Sequence, residues 1–351
     1  MINLLLEDIS FSYQEEEEKA LDHISFSLTE DDFLCVFGAS GSGKTTLLKV
    51  IAGLLIQDEG NVFIHNELQN AIPAYKRKIG YVFQEPKLYP HLTVYENLML
   101  GIKHMKLSFV EKDNLIKKLM KTFHLLPFMN IKPKYLSLGE QEKVALAKVF
   151  LVPEDVYLLD EAMSGLDTLS RKKVLRYIKK VREENHVPMI YVSHDEENVP
   201  SFATKVLILK EGKVLFFNTL EEMNHHPTHI DVLHYFNEHY NQLSIKVINH
   251  KMFYQEQEIG DSTLPNDTYY LCLPLTNFYV DNNDGISLMM KKTYLDQKGR
   301  LILEGYSSTH QILIPLTLED EDKINDPHLY FNFHLQKGFI FKEDGTLAET
   351  L

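Results

Sequence analysis

The sequence contains very little cysteine. Only Cys35 and Cys272 occur in 351 residues, and they lie far apart along the chain. Two distant cysteines cannot form the framework of several disulfides that holds many small secreted domains together. This scarcity favours a protein of a reducing, cytoplasmic setting.

Long apolar segments are also absent. No apolar run in the sequence approaches the length of a membrane span. The first residues, MINLLLEDISFSY, contain no basic residue and reach an acid at Glu7, which is not typical of a signal peptide. We therefore expect any role at a membrane to depend on a partner protein.

Positive charge is in short supply. The chain has 36 Lys and Arg against 50 Asp and Glu, and its formal net charge is -14. This balance argues against a protein that binds nucleic acid by neutralising phosphates, so no nucleic-acid partner is expected. A local loop of backbone amides can still bind a nucleotide in an acidic protein.

The first part of the sequence alternates short apolar strands with helical stretches. Several of the strands are apolar without alternation, as expected when helices cover both faces of a parallel sheet. The pattern predicts an α/β fold. The predicted strands are FLCVFG (33–38), KIGYVF (78–83), VYLLD (156–160), PMIYVS (188–193) and KVLILK (205–210), and the predicted helices include TTLLKVIAGLL and LSRKKVLRYIKKVREE.

The character of the sequence changes after about His239. Short strands separated by turn signals follow to the end, which predicts a second, all-β domain, a small barrel rather than a sandwich. The predicted domains are residues 1–235 and 236–351. The strands are SIKVI, TYYLCLPL, ISLMM, RLILEGY, QILIPL, HLYFNFHL and GFIFKEDG, with turns at Asn283-Asp284-Gly285, Lys298-Gly299 and Asp344-Gly345.

A glycine-rich segment, GASGSGKTT, lies between the predicted strand FLCVF and the helix that follows it. It matches the P-loop pattern, in which backbone amides and a helix N-terminus surround the phosphates of a nucleotide. In this pattern Lys44 reaches the β and γ phosphates, and the Thr45 hydroxyl binds Mg²⁺. The alternative is a plain Gly/Ser-rich turn, which we disfavour because a strand precedes it and a helix follows. The predicted nucleotide-binding residues of this segment are Gly38, Ala39, Ser40, Gly41, Ser42, Gly43, Lys44, Thr45 and Thr46.

Two acids stand at the end of the apolar strand VYLLD: one is its last residue and the other follows it directly. Asp160 lies at the carboxyl end of the strand, where its carboxylate can hold hydrated Mg²⁺. Glu161 follows directly, where it can orient or deprotonate an attacking water. Such a pair is common alone, but downstream of a P-loop it predicts a metal ligand and a general base.

The segment LSLGEQEKVALAK, residues 136–148, begins like an ordinary helix. Ser137 can cap it, and Glu140 stands three residues on, as in a capping box. A helix N-terminus of this kind also has amides that an anion can bind. The residues alone leave open whether Ser137 is only a cap or part of a ligand site.

In the order of its motifs, from Tyr13 to His194, the chain resembles an ATP-binding cassette protein, the ATPase subunit of an ABC transporter. The resemblance implies a Mg²⁺-dependent ATPase with ATP as ligand. The family signature LSGGQ reads here LSLGE, with Ser137, Gly139 and Glu140 in matching positions. In the family this signature binds the γ-phosphate held by the other subunit's P-loop, which implies a homodimer. Leu138 departs from the usual glycine and restricts the backbone more than glycine does.

The same resemblance assigns roles to single residues. Gln84, in VFQEP, matches the glutamine that contacts Mg²⁺ or the water; its alternative is a polar residue that ends a strand. His194, in YVSHD, matches the switch histidine at the γ-phosphate, and Asp167 ends the sequence SGLD, which resembles the loop that crosses the dimer interface. Tyr13 matches the aromatic residue that stacks on adenine. For Tyr13 the alternative, a tyrosine in a strand core, stays open.

Four histidines near the predicted domain junction invite a metal interpretation. Pro227 interrupts any regular helical spacing and no cysteine is near, so a linker helix is the preferred interpretation. The residues are His225, His226, His229 and His234.

The resemblance also indicates a branch of the family. The segment between Lys44 and Leu136 is too short for the long coiled coil of the DNA-repair type. The resemblance implies a helical subdomain of about residues 86–155. A cassette followed by a small OB-like β-barrel domain resembles the maltose-type importers, and LYPHLTVYENLMLGIK is close to their sequence after the glutamine. No RPE motif of their C-terminal domain is found. A sugar is the first expectation for the solute.

This branch implies partners and a location. The implied partners are transmembrane permease subunits and, indirectly, an extracytoplasmic solute-binding protein. The implied location is the cytoplasmic face of the cell membrane, where the chain would be peripheral. A second hypothesis is a regulatory module in which Leu138 has weakened hydrolysis and the C-terminal domain binds a regulator. The presence of Lys44, Asp160, Glu161 and His194 argues against it.

Overall fold

The computed structural model describes residues 2–14, 18–193, 202–235, 239–281, 285–296, 299–308, 310–316 and 328–351. The predicted site residue His194 and most of the acidic run Glu15 to Glu18 lie outside these residues. The chain divides into two compact units, Met1–Glu221 and Glu222–Leu351.

The first unit alternates strands and helices. Its strands are β1 (Ile2–Phe11), β2 (Leu21–Thr29), β3 (Phe33–Phe37), β4 (Glu59–Ile64), β5 (Glu67–Leu68), β6 (Ile79–Val82), β7 (Val156–Asp160), β8 (Met189–Val192), β9 (Lys205–Lys210) and β10 (Lys213–Asn218). Its helices are α1 (Lys44–Ile51), α2 (Val94–Gly101), α3 (Phe109–Thr122), α4 (Leu138–Phe150) and α5 (Thr168–Asn185), and α6 (Leu220–His225) crosses into the second unit.

The central sheet of the first unit has the strand order β10-β9-β3-β8-β7-β6. The strands from β9 to β6 are parallel, and β10 joins the edge in antiparallel pairing. Every residue of β3 and β7 is buried, which is the reason their sequences are apolar without alternation. The predicted α/β architecture is confirmed, and all five strands predicted from apolar runs occur.

A second, antiparallel sheet lies beside the first and was not predicted as such. Its strand order is β2-β1-β4-β5. Buried residues of this sheet share one apolar core with α1 and with the central sheet, among them Leu4, Ile24, Leu47 and Leu158. The buried side chains of α1 belong to the same core as those of both sheets, and this packing fixes the position of the helix in the unit.

Helix α1 is shorter than the predicted segment, which continued to Leu55. The helix ends ahead of Gly53, whose φ of 71° lies in the left-handed region and whose amide donates to Val50 O at 3.0 Å. The buried Arg77 Nη1 donates to the carbonyl oxygens of Val50 and Ile51 at 3.0 and 2.8 Å, which adds partners at this helix end.

The stretch between β6 and β7 is helical and carries α2, α3 and α4. Each of these helices starts with a capping box, formed by Thr93 and Glu96, Ser108 and Glu111, and Ser137 and Glu140. Such reciprocal bonds satisfy amides that the first turn leaves unpaired, so the sequence defines where each helix starts.

The second unit is built from two antiparallel sheets, ordered β13-β12-β11-β14-β20-β21 and β15-β19-β16-β17-β18. Both sheets contribute to one apolar core, which includes Leu243, Leu271, Leu303 and Phe331. This all-β unit is consistent with the predicted small, OB-like barrel domain. Its strands are β11 (Tyr240–Ile248), β12 (Lys251–Tyr254), β13 (Gln257–Asp261), β14 (Asp267–Pro274), β15 (Phe278–Asp281), β16 (Ile286–Leu295), β17 (Leu301–Ser307), β18 (His310–Pro315), β19 (His328–Phe333), β20 (Phe339–Phe341) and β21 (Leu347–Thr350).

The observed division at Glu221 and Glu222 lies earlier than the predicted boundary at residues 235 and 236. The reason is the 3₁₀ turn Ile230–Tyr235, which packs with the second unit. The Ile230 amide donates to Gly345 O at 2.8 Å, and Leu233 is buried in a cluster with Phe339 and Phe341. Composition does not reveal this packing.

The histidines of the junction do not share one helix, because α6 ends at His225 and the 3₁₀ turn starts at Ile230. His229 Nε2 lies 3.2 Å from Asp344 O. Within the described residues no cluster of three or more His, Cys, Asp or Glu is arranged to hold a metal ion. None of the described helices combines the length and the apolar character that crossing a membrane requires.

Candidate functional site

The P-loop segment leaves the carboxyl end of β3 and enters α1 at Lys44. Gly43 precedes the helix with φ of 102°, in the left-handed region that glycine adopts without strain. A Cβ at Gly43 would lie 2.5 Å from the carbonyl oxygen of Ala20, so only glycine fits there. No side chain caps the first turn of α1, and a helix N-terminus of this kind can bind an anion.

Lys44 lies inside the loop rather than in solvent. Its side chain is 5% exposed, and Nζ donates to Gly38 O at 2.7 Å and to Ala39 O at 2.8 Å. A buried ammonium is costly unless it is hydrogen-bonded. The two carbonyls therefore hold a positive charge within the segment that was predicted to bind phosphates.

Asp160 lies at the end of β7 and is 1% exposed. Its Oδ1 accepts a hydrogen bond from Thr45 Oγ1 at 3.1 Å, and its Oδ2 accepts one from the Tyr81 hydroxyl at 2.9 Å. Burial raises the pKa of Asp160, and the hydrogen bonds from Tyr81 and Thr45 oppose that rise. Burial and the neighbouring Asp160 raise the pKa of Tyr81, so the phenol stays protonated and donates.

Glu161 follows with a backbone φ of 49°, which is uncommon for a residue with a side chain. Its amide donates to Val192 O at 3.1 Å, and its carboxylate Oε2 accepts from Gln84 Nε2 at 2.8 Å. The structure therefore brings Gln84 and Glu161, which are far apart in sequence, into direct contact. Both residues lie at the carboxyl edge of the parallel sheet.

Four of the residues described above, Lys44, Thr45, Gln84 and Glu161, line one open cavity of about 980 Å³. Lys44 and Thr45 lie on one wall, and Gln84 and Glu161 contribute to the same lining. The cavity is large enough for a nucleotide and its walls are mainly polar. The full lining is Tyr13, Glu18, Lys19, Ala20, Asp22, Ser40, Gly41, Gly43, Lys44, Thr45, Thr46, Gln84, Glu161, Glu211, Gly212 and Lys213.

Tyr13 lies two residues beyond the end of β1 and belongs to the cavity lining. Its hydroxyl is 3.0 Å from Thr46 Oγ1, and its ring packs edge-on against Phe11 at 4.9 Å. The ring is therefore half-buried at the cavity wall rather than in the core of the strand. Contact with adenine stays a prediction.

The signature segment enters α4 at Leu138. Ser137 caps the helix: its Oγ accepts from the Glu140 amide at 3.4 Å and donates to Glu140 Oε2 at 2.9 Å. Leu138 is 53% exposed. Among the described residues that line the cavity around Lys44, none comes from this helix N-terminus. Within one chain, the structure does not bring Ser137 to the P-loop cavity.

Helix α4 packs closely on the loop after β7. A Cβ at Gly139 would lie 2.6 Å from Gly165 O, so glycine permits this approach. The Glu142 carboxylate, 1% exposed, accepts from Ser164 Oγ at 3.1 Å and from the Gly165 amide at 3.0 Å. Burial raises the pKa of Glu142, and the Gly165 bond opposes the rise. Asp167 ends this loop and caps α5 by accepting from the Ser170 amide at 2.9 Å.

Two residues of this arrangement were not predicted from the sequence. Tyr81 donates to Asp160, and Glu142 links α4 to the loop that contains Gly165. For Tyr81 a signal was available, because it lies in an apolar strand just ahead of Gln84. For Glu142 there was none, since an acid within a helix is usually a solvated residue.

Comparison with known proteins places the chain in a family. A family model described as ABC transporter matches residues 21–164. A probable sulfate/thiosulfate import ATP-binding protein of Chlorella vulgaris is 31% identical over 234 residues, which cover 67% of this chain and 98% of that protein. The chain belongs to the ABC transporter ATP-binding family.

Other members of this family are similar over a shorter share of their length. A spermidine/putrescine import ATP-binding protein of Bacillus cereus is 36% identical over 204 residues, 58% of this chain and 62% of that protein. An Fe(3+) ions import ATP-binding protein of Fusobacterium nucleatum is 30% identical over 231 residues, 66% of this chain and 62% of that protein. The chain thus spans slightly less than two thirds of these two bacterial relatives.

Solved structures of ABC cassettes share the fold. A dimeric ATP-binding cassette in a post-hydrolysis state, bound to ADP and Pi, matches with a TM-score of 0.58 and 32% identity. The match covers 62% of this chain and 98% of that one. Its extent agrees with a cassette that is followed here by a further unit.

Proposed function

We propose that the chain is the ATP-binding and ATP-hydrolysing subunit of an ABC importer. The observation that carries the proposal is the convergence of Lys44, Thr45, Gln84 and Glu161 on one cavity, with Asp160 bonded to Thr45 behind them. These residues come from separate segments of the chain, and they are the groups that phosphoryl transfer requires: phosphate binding, metal binding and orientation of water.

Phosphate binding falls to the P-loop. The start of α1 lines the cavity, and Lys44 contributes a positive charge that is already held by two carbonyls. On binding ATP, Lys44 would exchange its hydrogen bonds to the two carbonyls for hydrogen bonds to the β and γ phosphates. Because the phosphates are charged, these hydrogen bonds are stronger. Affinity for the phosphates therefore comes from backbone dipoles and one ammonium.

The residues fit Mg²⁺. Thr45 Oγ1, on a residue of the cavity lining, and Asp160 Oδ1, behind it, are hard oxygen donors 3.1 Å apart, a pair suited to a cation that prefers oxygen ligands and keeps several waters. We assign these two residues, with Gln84, to hold the ion. When bound, Mg²⁺ would neutralise charge on the phosphate oxygens.

Activation of water falls to Glu161. Its carboxylate lines the cavity, and Gln84 Nε2 donates to one carboxylate oxygen, which fixes the orientation of the other. Glu161 can then accept a proton from a water placed for attack on the terminal phosphorus. His194, which lies outside the described residues, is proposed to contact the γ-phosphate.

The signature is proposed to act in a partner subunit. The N-terminus of α4 has its own cap and lies away from the P-loop cavity of the same chain, so Ser137, Gly139 and Glu140 would meet a nucleotide only in a head-to-tail homodimer. The structural relative described above is a dimeric cassette, which supports this assembly. Tyr13 and Asp167 are assigned to adenine contact and to the dimer interface.

The import role is supported by the names of the three relatives, each an import ATP-binding protein. It implies permease subunits as partners, with the chain peripheral at the cytoplasmic face of a membrane. The relatives are named for polyamines, sulfate or thiosulfate, and iron, so the expectation of a sugar has no support here and the solute is left out of the proposal.

A measurement of phosphate release from purified protein tests the proposal. We expect Mg²⁺-dependent hydrolysis in the wild type and loss of ATP affinity in Lys44→Ala, because the contact with the β and γ phosphates is lost. Lys78→Ala is the control, since Lys78 is 73% exposed and does not line the cavity. A wild type that binds ATP without hydrolysing it would favour the regulatory alternative. Unchanged affinity and turnover in Lys44→Ala would contradict the P-loop assignment.

A further inference from the structure

The carboxylate of Asp160 has two hydrogen-bond donors on different elements. Thr45, at the start of α1, donates to Oδ1 at 3.1 Å, and Tyr81, on β6, donates to Oδ2 at 2.9 Å. Asp160 itself is 1% exposed. Each oxygen of the carboxylate thus has its own partner, and the carboxylate has one defined orientation.

The position of the Tyr81 hydroxyl is fixed by the sheet. Strands β6 and β7 are parallel neighbours, and Tyr81 is in register with Leu158, two residues before Asp160. The Tyr81 ring packs edge-on against Phe83, with centroids 4.3 Å apart and planes at 77°. A ring held in this way has little freedom, so its hydroxyl stays beside Oδ2.

The two donors have different roles once a cation binds. Thr45 is proposed to bind Mg²⁺ through its hydroxyl oxygen, and Asp160 Oδ1 lies beside that oxygen. Tyr81 donates its hydrogen bond to the other oxygen, Oδ2, and does not belong to the cavity lining. It can therefore keep its hydrogen bond while Oδ1 faces the ion.

We propose that Tyr81 is a positioning residue for the divalent cation: it holds Oδ2 of Asp160 so that Oδ1 is presented beside Thr45. This inference rests on the proposed function. Without the phenol hydroxyl, a buried carboxylate oxygen loses its donor, and the carboxylate is no longer held in one orientation. Partners that orient a metal ligand typically contribute about 10-fold to 100-fold to metal affinity.

The test compares Tyr81→Phe with Tyr157→Phe. Tyr81→Phe keeps the ring against Phe83 and removes only the hydroxyl. Tyr157 lies on β7, is 1% exposed, and its hydroxyl donates to Val152 O at 2.9 Å instead of to Asp160. It is a matched control for the loss of one buried phenol hydroxyl. Circular dichroism and thermal unfolding verify that both variants are folded.

Two affinities are measured on the full chain. One is the affinity for a non-hydrolysable ATP analogue in EDTA, by calorimetry. The other is the affinity of the analogue-bound protein for Mn²⁺, by electron paramagnetic resonance. We expect Tyr81→Phe to bind Mn²⁺ about 10-fold more weakly, with metal-free affinity for the analogue unchanged, and Tyr157→Phe to alter neither.

The outcomes separate this inference from the proposed function. If the wild type binds no Mn²⁺ with the analogue, the proposed function fails. If the wild type binds Mn²⁺ and Tyr81→Phe binds it equally well, only the role of Tyr81 is wrong. If Tyr81→Phe lost affinity for the analogue in EDTA as much as it lost affinity for Mn²⁺, Tyr81 would support the structure generally. This result too would overturn the inference.

Discussion

Single residues of the candidate site are buried although they carry charge. Lys44, Asp160 and Glu161 are 5%, 1% and 8% exposed. Burying a charge is costly unless hydrogen bonds replace the lost water, and each of these side chains has such bonds. Buried charged groups of this kind cluster where their chemistry is used, which supports the cluster as the candidate functional site.

Glu161 is the residue whose replacement should separate binding from hydrolysis. Glu161→Gln keeps the size of the side chain but cannot accept the proton of water. We expect ATP affinity to be retained and the rate of phosphate release to fall by about two orders of magnitude or more. Glu184→Gln, an exposed change on α5, should leave both unchanged. Hydrolysis at the wild-type rate in Glu161→Gln would remove Glu161 as the base.

At the scale of elements, the start of α4 depends on a close approach to the loop after β7. Gly139 permits this approach, and a methyl group there would lie 2.6 Å from the backbone oxygen of Gly165. The backbone cannot yield as a flexible side chain can. The second glycine of the signature is therefore needed for packing as well as for any phosphate contact.

Gly139→Ala tests this packing. We expect it to lower the free energy of unfolding by about 1–3 kcal/mol, the usual range for overpacking, although alanine is the better helix former. Gly101→Ala is the matched control, because a Cβ there meets only Lys148, at 3.4 Å or more. Denaturant unfolding measures both. Equal stability of the two variants would show that α4 and the loop adjust freely.

A second element-scale contact joins β11 to β18. The Ser244 amide donates to His310 Nε2 at 3.3 Å, and the Tyr254 hydroxyl lies 3.4 Å from Nδ1. Nε2 can accept only when it carries no proton. Burial lowers the pKa of His310, which agrees with a neutral ring in the folded state.

The sign of the pH effect follows from this shift. A pKa below its unfolded value of about 6.5 gives stability that is present above that pH and is lost as the pH falls through the folded value. We expect the wild type to lose about 1 kcal/mol, the scale of one hydrogen bond, more than His310→Gln on acidification. Thermal unfolding at pH 7.5 and 5 measures this, with His328→Gln, at the exposed first residue of β19, as control. If the wild type and His310→Gln lost the same stability between pH 7.5 and 5, the assignment of a neutral, hydrogen-bonded His310 would be contradicted.

At the scale of the whole molecule, the proposed head-to-tail homodimer predicts complementation. Lys44→Ala destroys a P-loop and Ser137→Arg destroys a signature, so each protein alone should be inactive. In the mixed dimer one site combines both lesions and the other has two wild-type halves. An equal mixture should therefore recover about a quarter of the wild-type ATPase rate if subunits pair at random. A mixture that stays inactive, although mixed dimers form, would contradict independent trans sites.

Much of the fold was predictable because the signals are local. The apolar runs of β3 and β7 mark buried strands, and the capping box of Ser137 and Glu140 marks the start of α4. The antiparallel sheet that starts with β1 was less predictable, since its strands pair with partners whose position no local pattern gives. The division at Glu221 has no local signal in the sequence, because it depends on the packing of Leu233 with Phe339 and Phe341.

The sequence by itself determined the chemistry of the site. The spacing in GASGSGKTT predicts that backbone amides and Lys44 bind an anion and that Thr45 binds a cation, and the pair of acids at the end of an apolar strand is also a local pattern. Only the tertiary structure decided which groups work on each other. It brings Gln84 to Glu161 and Tyr81 to Asp160, because parallel strands that are distant in sequence end at the same edge of one sheet. Residue types are local properties of a chain, whereas distances between side chains depend on how its sheets and helices pack.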